Sequence, residues 1–288
     1  MKLAAVSKVA ACAVAASLVL NMVLHLLVFP LRIPGDFAPS PVMERGLLPP
    51  LAGGGMLVVL GALAAVFLLV EPGMRGRGWI KGFRFGAVFA GLWLIGFVEV
   101  AALSDTTVAI EVLNGAPDCL SIMSLSVLLG LFASSPATAD GMVPSSGSAS
   151  GGAAGRSWMV RSAAVALAFL AGRLFSYGVL RMNAVFHPEP AAVAAWTVAM
   201  AACVGLLRWV LRDRTGRTRP PAAGPAEALR FGLAVYGVDW FLFNLFLPLF
   251  IAVPLGGMVL RAGVDVAAVT LGALAAERLV PARPAGGA

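Results

Sequence analysis

Apolar residues along this chain come in long blocks separated by short polar stretches. Eight blocks stand out, at roughly Ala4 to Phe29, Leu51 to Val70, Gly82 to Leu103, Asp118 to Phe132, Met159 to Arg181, Ala191 to Leu211, Leu229 to Phe250 and Val264 to Val280. A helix needs about 20 mostly apolar residues to cross the hydrocarbon of a bilayer, so the pattern predicts eight membrane helices. The fourth and eighth blocks are short and would tilt little or sit in a thinned region of the bilayer. Composition agrees: 60% of the residues are hydrophobic, 12% are charged and mean hydropathy is +0.92, whereas soluble domains run near a quarter charged. The expected fold class is all-α, a polytopic integral membrane protein. Its first apolar run, from Val9 to Leu31, is too long for a signal peptide and lacks a small-residue cleavage pair, which predicts an uncleaved first helix. Lys8 directly before Val9-Ala10-Ala11-Cys12 leaves no apolar region upstream for a lipoprotein signal.

Charge then orients the helices. The formal net charge is +7, but the basic residues lie in short loops beside apolar runs, where membrane orientation accounts for them and a nucleic-acid partner is not needed. With the N-terminus inside, every Lys and Arg except Arg32, Arg45, Arg173, Arg181 and Arg261 falls on the cytoplasmic side. Acids such as Asp36, Glu44, Glu189 and Asp265 stand near several of those five. The expected topology has both termini in the cytoplasm. Residues 134–157 contain SSGSASGGAAG, whose Gly/Ser content predicts a cytoplasmic linker between a first unit at 1–133 and a second at 158–288.

The two units share a phrase. RFGAVFAG, Arg84 to Gly91, returns 146 positions on as RFGLAVYG, Arg230 to Gly237. Each copy follows a basic loop, EPGMRGRGWIKG or RWVLRDRTGRTRP, and leads to LNGAPDCL or LRAGVDVA, so that Asp118 and Asp265 match one residue off register. A duplicated four-helix unit explains this. Four crossings return the chain to its starting side, so the two repeats would stand parallel. Gly86, Gly91, Gly232 and Gly237, with Gly82 completing a GxxxG, predict close helix packing. Arg84 and Arg230 would mark the cytoplasmic mouth and meet anionic head groups.

The run KGFRFGAVFAGLWLIGFVEV followed by EVLNGAPDCLSIMSLSVLLGLF resembles small bacterial four-helix integral membrane proteins of unknown function, of which this chain would be a duplicated version. In those, a Gly-spaced third helix ends in a Trp-Leu-Gly-Phe-like segment and an Asn-Gly or Asn-Ala turn opens the fourth. Trp93, Leu94, Gly96 and Phe97 stand in that place, with an Ile inserted, and Asn114-Gly115 would make the turn. The second half departs from the pattern, with Trp240 displaced and Arg261 where Asn114 would be. The resemblance implies a membrane bundle of the bacterial cytoplasmic membrane and carries no active residue.

Charged side chains deep in a membrane helix cost at least a few kcal/mol and call for a functional hypothesis. Asp239 lies ten residues beyond Leu229, about 15 Å into the bilayer by helical rise. Arg173 lies about 6 Å from that depth, within reach of an ion pair. Asp239 is therefore either tied to Arg173 or a protonatable or cation-binding group on a translocation path. Asn244, five residues on, is turned about 140° around the helix from Asp239. Asp118 and Asp265 each follow a Gly or Pro turn and read as helix N-caps, or as an acidic pair drawing cations to an outer mouth. Glu99, Asp105 and Glu111 are expected to be solvated, and His25 and His187 are too isolated for a metal site.

Cys12, Cys119 and Cys203 stand far apart with no C-x-x-C spacing, which points away from disulfides and metals. No HExxH, GxSxG or P-loop occurs. The reading is a non-enzymatic multi-pass protein without a cofactor. A small-solute or ion carrier is favoured, with a scaffold or regulatory subunit as the alternative. Its partners would be the bilayer, with a membrane protein or a second copy beside it.

Overall fold

The structure is a computed structural model and describes residues 3–28, 39–74, 76–103, 106–134, 151–180, 190–211 and 224–279. The readings on Lys2, Arg32, Asp36, Arg75, Asp105, Arg181, His187, Glu189, Arg212 to Arg219 and Arg283 lie outside these residues, as does 135–150 of the expected linker.

The described chain is helical. Its elements are α1 (Leu3–Val28), α2 (Pro41–Glu44), α3 (Leu48–Val70), α4 (Gly78–Leu103), α5 (Val108–Phe132), α6 (Gly151–Gly178), α7 (Pro190–Val210), α8 (Gly224–Leu229), a π-helical segment (Arg230–Gly237), α9 (Val238–Phe250) and α10 (Leu255–Leu279). α8, the π segment and α9 form one span, and among the described residues eight helical segments are long and apolar enough to cross a membrane. This is a multi-pass architecture, and strongly exposed side chains such as Leu26, Leu167 and Leu271 supply the apolar surface that a bilayer covers.

Several helices begin before their apolar blocks, α5, α6 and α10 by the most. α5 starts at Val108, where the Thr107 hydroxyl accepts the Ile110 amide at 3.3 Å, and it runs through Asn114, Gly115 and Pro117. Proline and glycine are tolerated inside a membrane helix because neighbouring groups satisfy the freed backbone. Pro117 offers no amide to the Leu113 carbonyl one turn back, yet the helix continues past it, with the Ser121 hydroxyl donating to the Pro117 carbonyl at 2.7 Å, and Gly115 leaves room for the Phe97 ring, which a Cβ would meet at 2.7 Å. The expected Asn114-Gly115 turn is therefore helix. α10 likewise starts at Leu255. α6 begins at Gly151, inside the expected linker, because a helix once formed gains a hydrogen bond with each added residue.

Packing pairs α1 with α5 and α3, α4 with α5, α6 with α10 and α7, and the π segment and α9 with α10. α3 also packs against α9, and α4 against α7. Helix ends that meet establish direction. Glu71 with Lys81, Arg230 with the Leu69 carbonyl, and Arg161 and Arg208 with Glu277 gather at one end, here the basal end, where α4 and α6 begin. Glu99, Tyr177 and Arg261 meet at the opposite, distal end.

Without a hydrophobic drive between helices in lipid, small residues set how closely they approach. A Cβ on Gly82 would stand 2.2 Å from the Ser126 carbonyl oxygen, and one on Gly86 would stand 2.9 Å from the Ser126 Cβ. Gly232 meets Thr270 in the same manner, and Gly237 meets Val266. Gly91 differs from the expectation: the space beside it is open, because at five residues from Gly86 it is turned away from α5. Gly82→Ala should therefore destabilise the bundle by about 1–3 kcal/mol through overpacking, while Gly91→Ala should leave stability unchanged or raise it slightly. Unfolding titration with SDS measures both.

Candidate functional site

α4, α6, α9 and α10 each carry polar side chains inward, and their positions on the helices decide which of them meet. Glu99 lies toward the distal end of α4 and is 4% exposed, not solvated. Its carboxylate is surrounded by donors from two other helices. Arg173 Nη1 and the Tyr177 hydroxyl of α6 donate to Oε1, the latter at 2.6 Å. Arg261 Nη2 of α10 donates to Oε2 at 2.6 Å. Arg173 also sets Nε 2.9 Å from Asp265 Oδ2. That same oxygen accepts the Trp240 indole N–H at 2.8 Å. Arg173 is 1% exposed and Asp265 fully buried, so two arginines and two carboxylates balance within one buried cluster.

Aromatic faces close around it. The Arg173 guanidinium lies 5.1 Å from the Phe169 ring centroid, 5.3 Å from Trp240 and 5.6 Å from Tyr177. Trp240 is stacked between Tyr236 and Phe243, at 5.9 and 5.4 Å. Delocalised, weakly hydrated guanidinium suits such a setting better than ammonium does.

Asp239 stands apart from this cluster. Near the middle of the Gly224–Phe250 span and fully buried, it accepts the Trp93 indole N–H on Oδ1 at 2.8 Å. Its Oδ2 has no hydrogen-bond partner among the described residues. The expected Arg173–Asp239 pair does not form. Equal depth leaves the direction around each helix unspecified, and Arg173 is turned to Glu99 and Asp265. Asn244 binds its own helix, donating Nδ2 to the Trp240 carbonyl at 2.8 Å.

Asp118 and Asp265 are not N-caps. Each lies ten residues beyond the first residue of its helix, Val108 or Leu255, and neither is at an outer mouth, both being buried. Asp118 accepts Asn21 Nδ2 at 2.8 Å and lies 2.9 Å from His25 Nε2. Asp118 thus meets the α1 side chains Asn21 and His25, and Asp265 meets Arg173 of α6. Glu111 is also buried, at 5% exposure.

Sequence reasoning singled out Arg173, Asp239, Asn244, Asp118 and Asp265, gave Glu99 to solvent and His25 to isolation, assigned no site role to Arg261, Trp93 or Trp240, and passed over Tyr177 and Asn21. One signal for Trp93 was present, since it is the counterpart of Asp239 at the offset of the repeated phrase. Arg84 and Arg230 sit toward the basal starts of their spans, and Arg230 donates to the Leu69 carbonyl. No group of His, Cys, Asp and Glu suited to a metal occurs among the described residues.

No protein-family model, curated protein or solved structure matches this chain.

Removing one partner of a buried pair strands the other charge, so Arg173→Leu should cost about 3–5 kcal/mol. In double-mutant cycles read by SDS unfolding, Arg173→Leu should couple to Asp265→Asn by about 1 kcal/mol or more, and combine additively with Asp239→Asn.

Proposed function

We propose that this protein is a membrane carrier that links passage of a small solute to a proton taken up and released by Asp239. One observation carries the reading: a fully buried carboxyl group at mid-span with one oxygen held by Trp93 and the other without a partner among the described residues. Such a group is costly in a low-dielectric interior, and intramembrane carboxyl groups commonly mark proton relays and substrate paths. The Trp93–Asp239 bond joins α4 to α9, so a change of protonation acts on a contact between the 1–133 and 158–288 segments. Among the described residues, Cys119 of α5 and Tyr236, one turn earlier, are titratable side chains that interact electrostatically with Asp239.

A duplicated origin belongs to the same reading. It is supported by reciprocal packing, in which the second helix of each half meets the third of the other, α3 with α9 and α7 with α4. The register supports it too. Arg84 and Arg230 are 146 apart, whereas Trp93 and Trp240, and Asp118 and Asp265, are 147 apart. The extra residue falls between Gly237, which still keeps the offset of 146, and Trp240, at the end of the π-helical segment. A π-helix bonds i to i+5 and so absorbs one more residue than an α-helix. Orientation rests on charge: Arg77, Lys81, Arg84, Arg161, Arg208, Arg230 and Arg278 cluster toward the basal helix ends, and the positive-inside rule turns that end to the cytoplasm.

Indole emission tests the proton. The emission of the solubilised protein should shift across a pH titration through a component that disappears in both Asp239→Asn and Trp93→Phe and survives Cys119→Ser. An Asp239→Asn protein that folds and titrates like the wild type would remove the proton link and leave a scaffold as the better reading.

A further inference from the structure

We infer that Arg173, Tyr177 and Arg261 form the recognition site of the proposed carrier for a small monocarboxylate, and that Glu99 occupies this site in the state described. The inference rests on the carrier reading and adds the class of solute.

The donors and the acceptor come from different bodies. Arg173 and Tyr177 belong to α6 and Arg261 to α10, two helices locked by close backbone approach: a Cβ on Gly172 would stand 2.6 Å from Ala268 Cβ, and one on Gly272 would stand 2.5 Å from Ala168 Cβ. Glu99 arrives on α4, whose backbone packs mainly against α5 and α7. A preformed set of donors therefore holds a carboxylate supplied from outside its own framework. Two guanidinium groups and a phenol converging on both oxygens of one carboxylate is the geometry that selects carboxylates over other anions.

Charge sets the valence of the ligand. With Glu99 present, Arg173 and Arg261 are balanced by Glu99 and Asp265. Once Glu99 withdraws, one positive charge is left buried at a cost of several kcal/mol. A single incoming carboxylate restores neutrality, and a dicarboxylate would overshoot it. The Arg173 Nη2 and Asp265 Oδ1 atoms, buried and without hydrogen-bond partners among the described residues, remain for further polar contacts. Phe169, Trp240 and Tyr177 around the guanidinium suit a ligand with a flat or apolar body.

Benzoate is the probe, with benzamide as its uncharged counterpart and decanoate as a lipid-like carboxylate. Thermal unfolding of the detergent-solubilised full chain is followed by tryptophan emission. An internal competitor lowers apparent affinity by the fraction of sites it fills, so Glu99→Gln should bind benzoate about tenfold or more tighter than wild type. Benzamide should be inert, and Glu99→Gln/Arg261→Gln should lose the response. A folded Glu99→Gln protein whose unfolding midpoint is indifferent to benzoate overturns the assignment, as does a response to decanoate alone. If Glu99→Gln folds only when benzoate is present, the site is supported. If it fails to fold under either condition, the wild-type chain decides. Saturable stabilisation by benzoate, absent with benzamide and abolished by Arg261→Gln, supports the site, and its absence overturns it. Benzoate binding with no pH response from Trp93 would retain this site and remove the proton link, while the converse would remove only the solute class.

Discussion

Buried charge in a membrane protein has to be neutralised by a partner, and this constraint organises the distal half of the bundle. Glu99, Arg173, Arg261 and Asp265 come from α4, α6 and α10, and each is at most 4% exposed. Any one of them alone would cost several kcal/mol in a medium that cannot hydrate it. Together they are neutral, and Tyr177 and Trp240 add neutral donors to the two carboxylates. Shared partners also reduce the entropy lost for each contact, because Arg173 is already held by Asp265 when it meets Glu99. The cluster fixes α4 against two helices that its backbone contacts little.

A different force holds the helix pairs themselves. α4 and α5 approach through Gly82, Gly86 and Gly130, and α6 and α10 through Gly172 and Gly272, so close that a methyl group would collide with the facing helix. Such contacts are dry and insensitive to protonation. The contacts between the halves are of another kind. Trp93 lies edge-on to Phe243 and Phe246, Phe97 lies edge-on to Phe243, and the Phe243 ring enters the notch left by Gly96. Rings and ion pairs rearrange through side-chain torsions, whereas interlocked glycine ridges move only as a block. The seam between the halves, across which α4 also packs against α7, contains both Asp239 and Glu99.

The membrane class and all eight spans were legible in the apolar blocks, because an apolar run of about twenty residues matches the thickness of the bilayer and exceeds what a water-facing helix carries. The ends of α5 and α10 were not. Asn114, Gly115, Pro117 and Gly263 are breakers in water, and they concealed helix that lipid and neighbouring side chains sustain. That error displaced Asp118 and Asp265 from helix interiors to helix caps and left Arg261 at a helix entrance. Depth along a helix could be counted from residue numbers, and it marked Arg173 and Asp239 correctly as buried charges. Direction around the helix depends on which neighbours pack where. Depth alone thus allows an Arg173–Asp239 pair and gives Glu99, four residues from the end of its helix, to solvent, whereas packing turns Arg173 to Glu99 and Asp265.

The charges also differ in what they join at the two ends. At the basal end, Lys81 pairs with Glu71 within the first half, and Arg161 and Arg208 pair with Glu277 and Glu227 within the second. At the distal end, Glu99 of the first half crosses to Arg173 and Arg261 of the second. Rocking the halves apart at the basal end breaks none of these ion pairs and gives up the Arg230 bond to the Leu69 carbonyl, while opening the distal end requires Glu99 to leave both arginines. An anion that takes its place removes most of that cost, and so a ligand of the same charge as Glu99 is the one whose arrival favours distal opening. Differential interaction with two arrangements is the only means by which a ligand shifts an equilibrium between them, and at this seam the proposed exchange of one carboxylate for another would provide it.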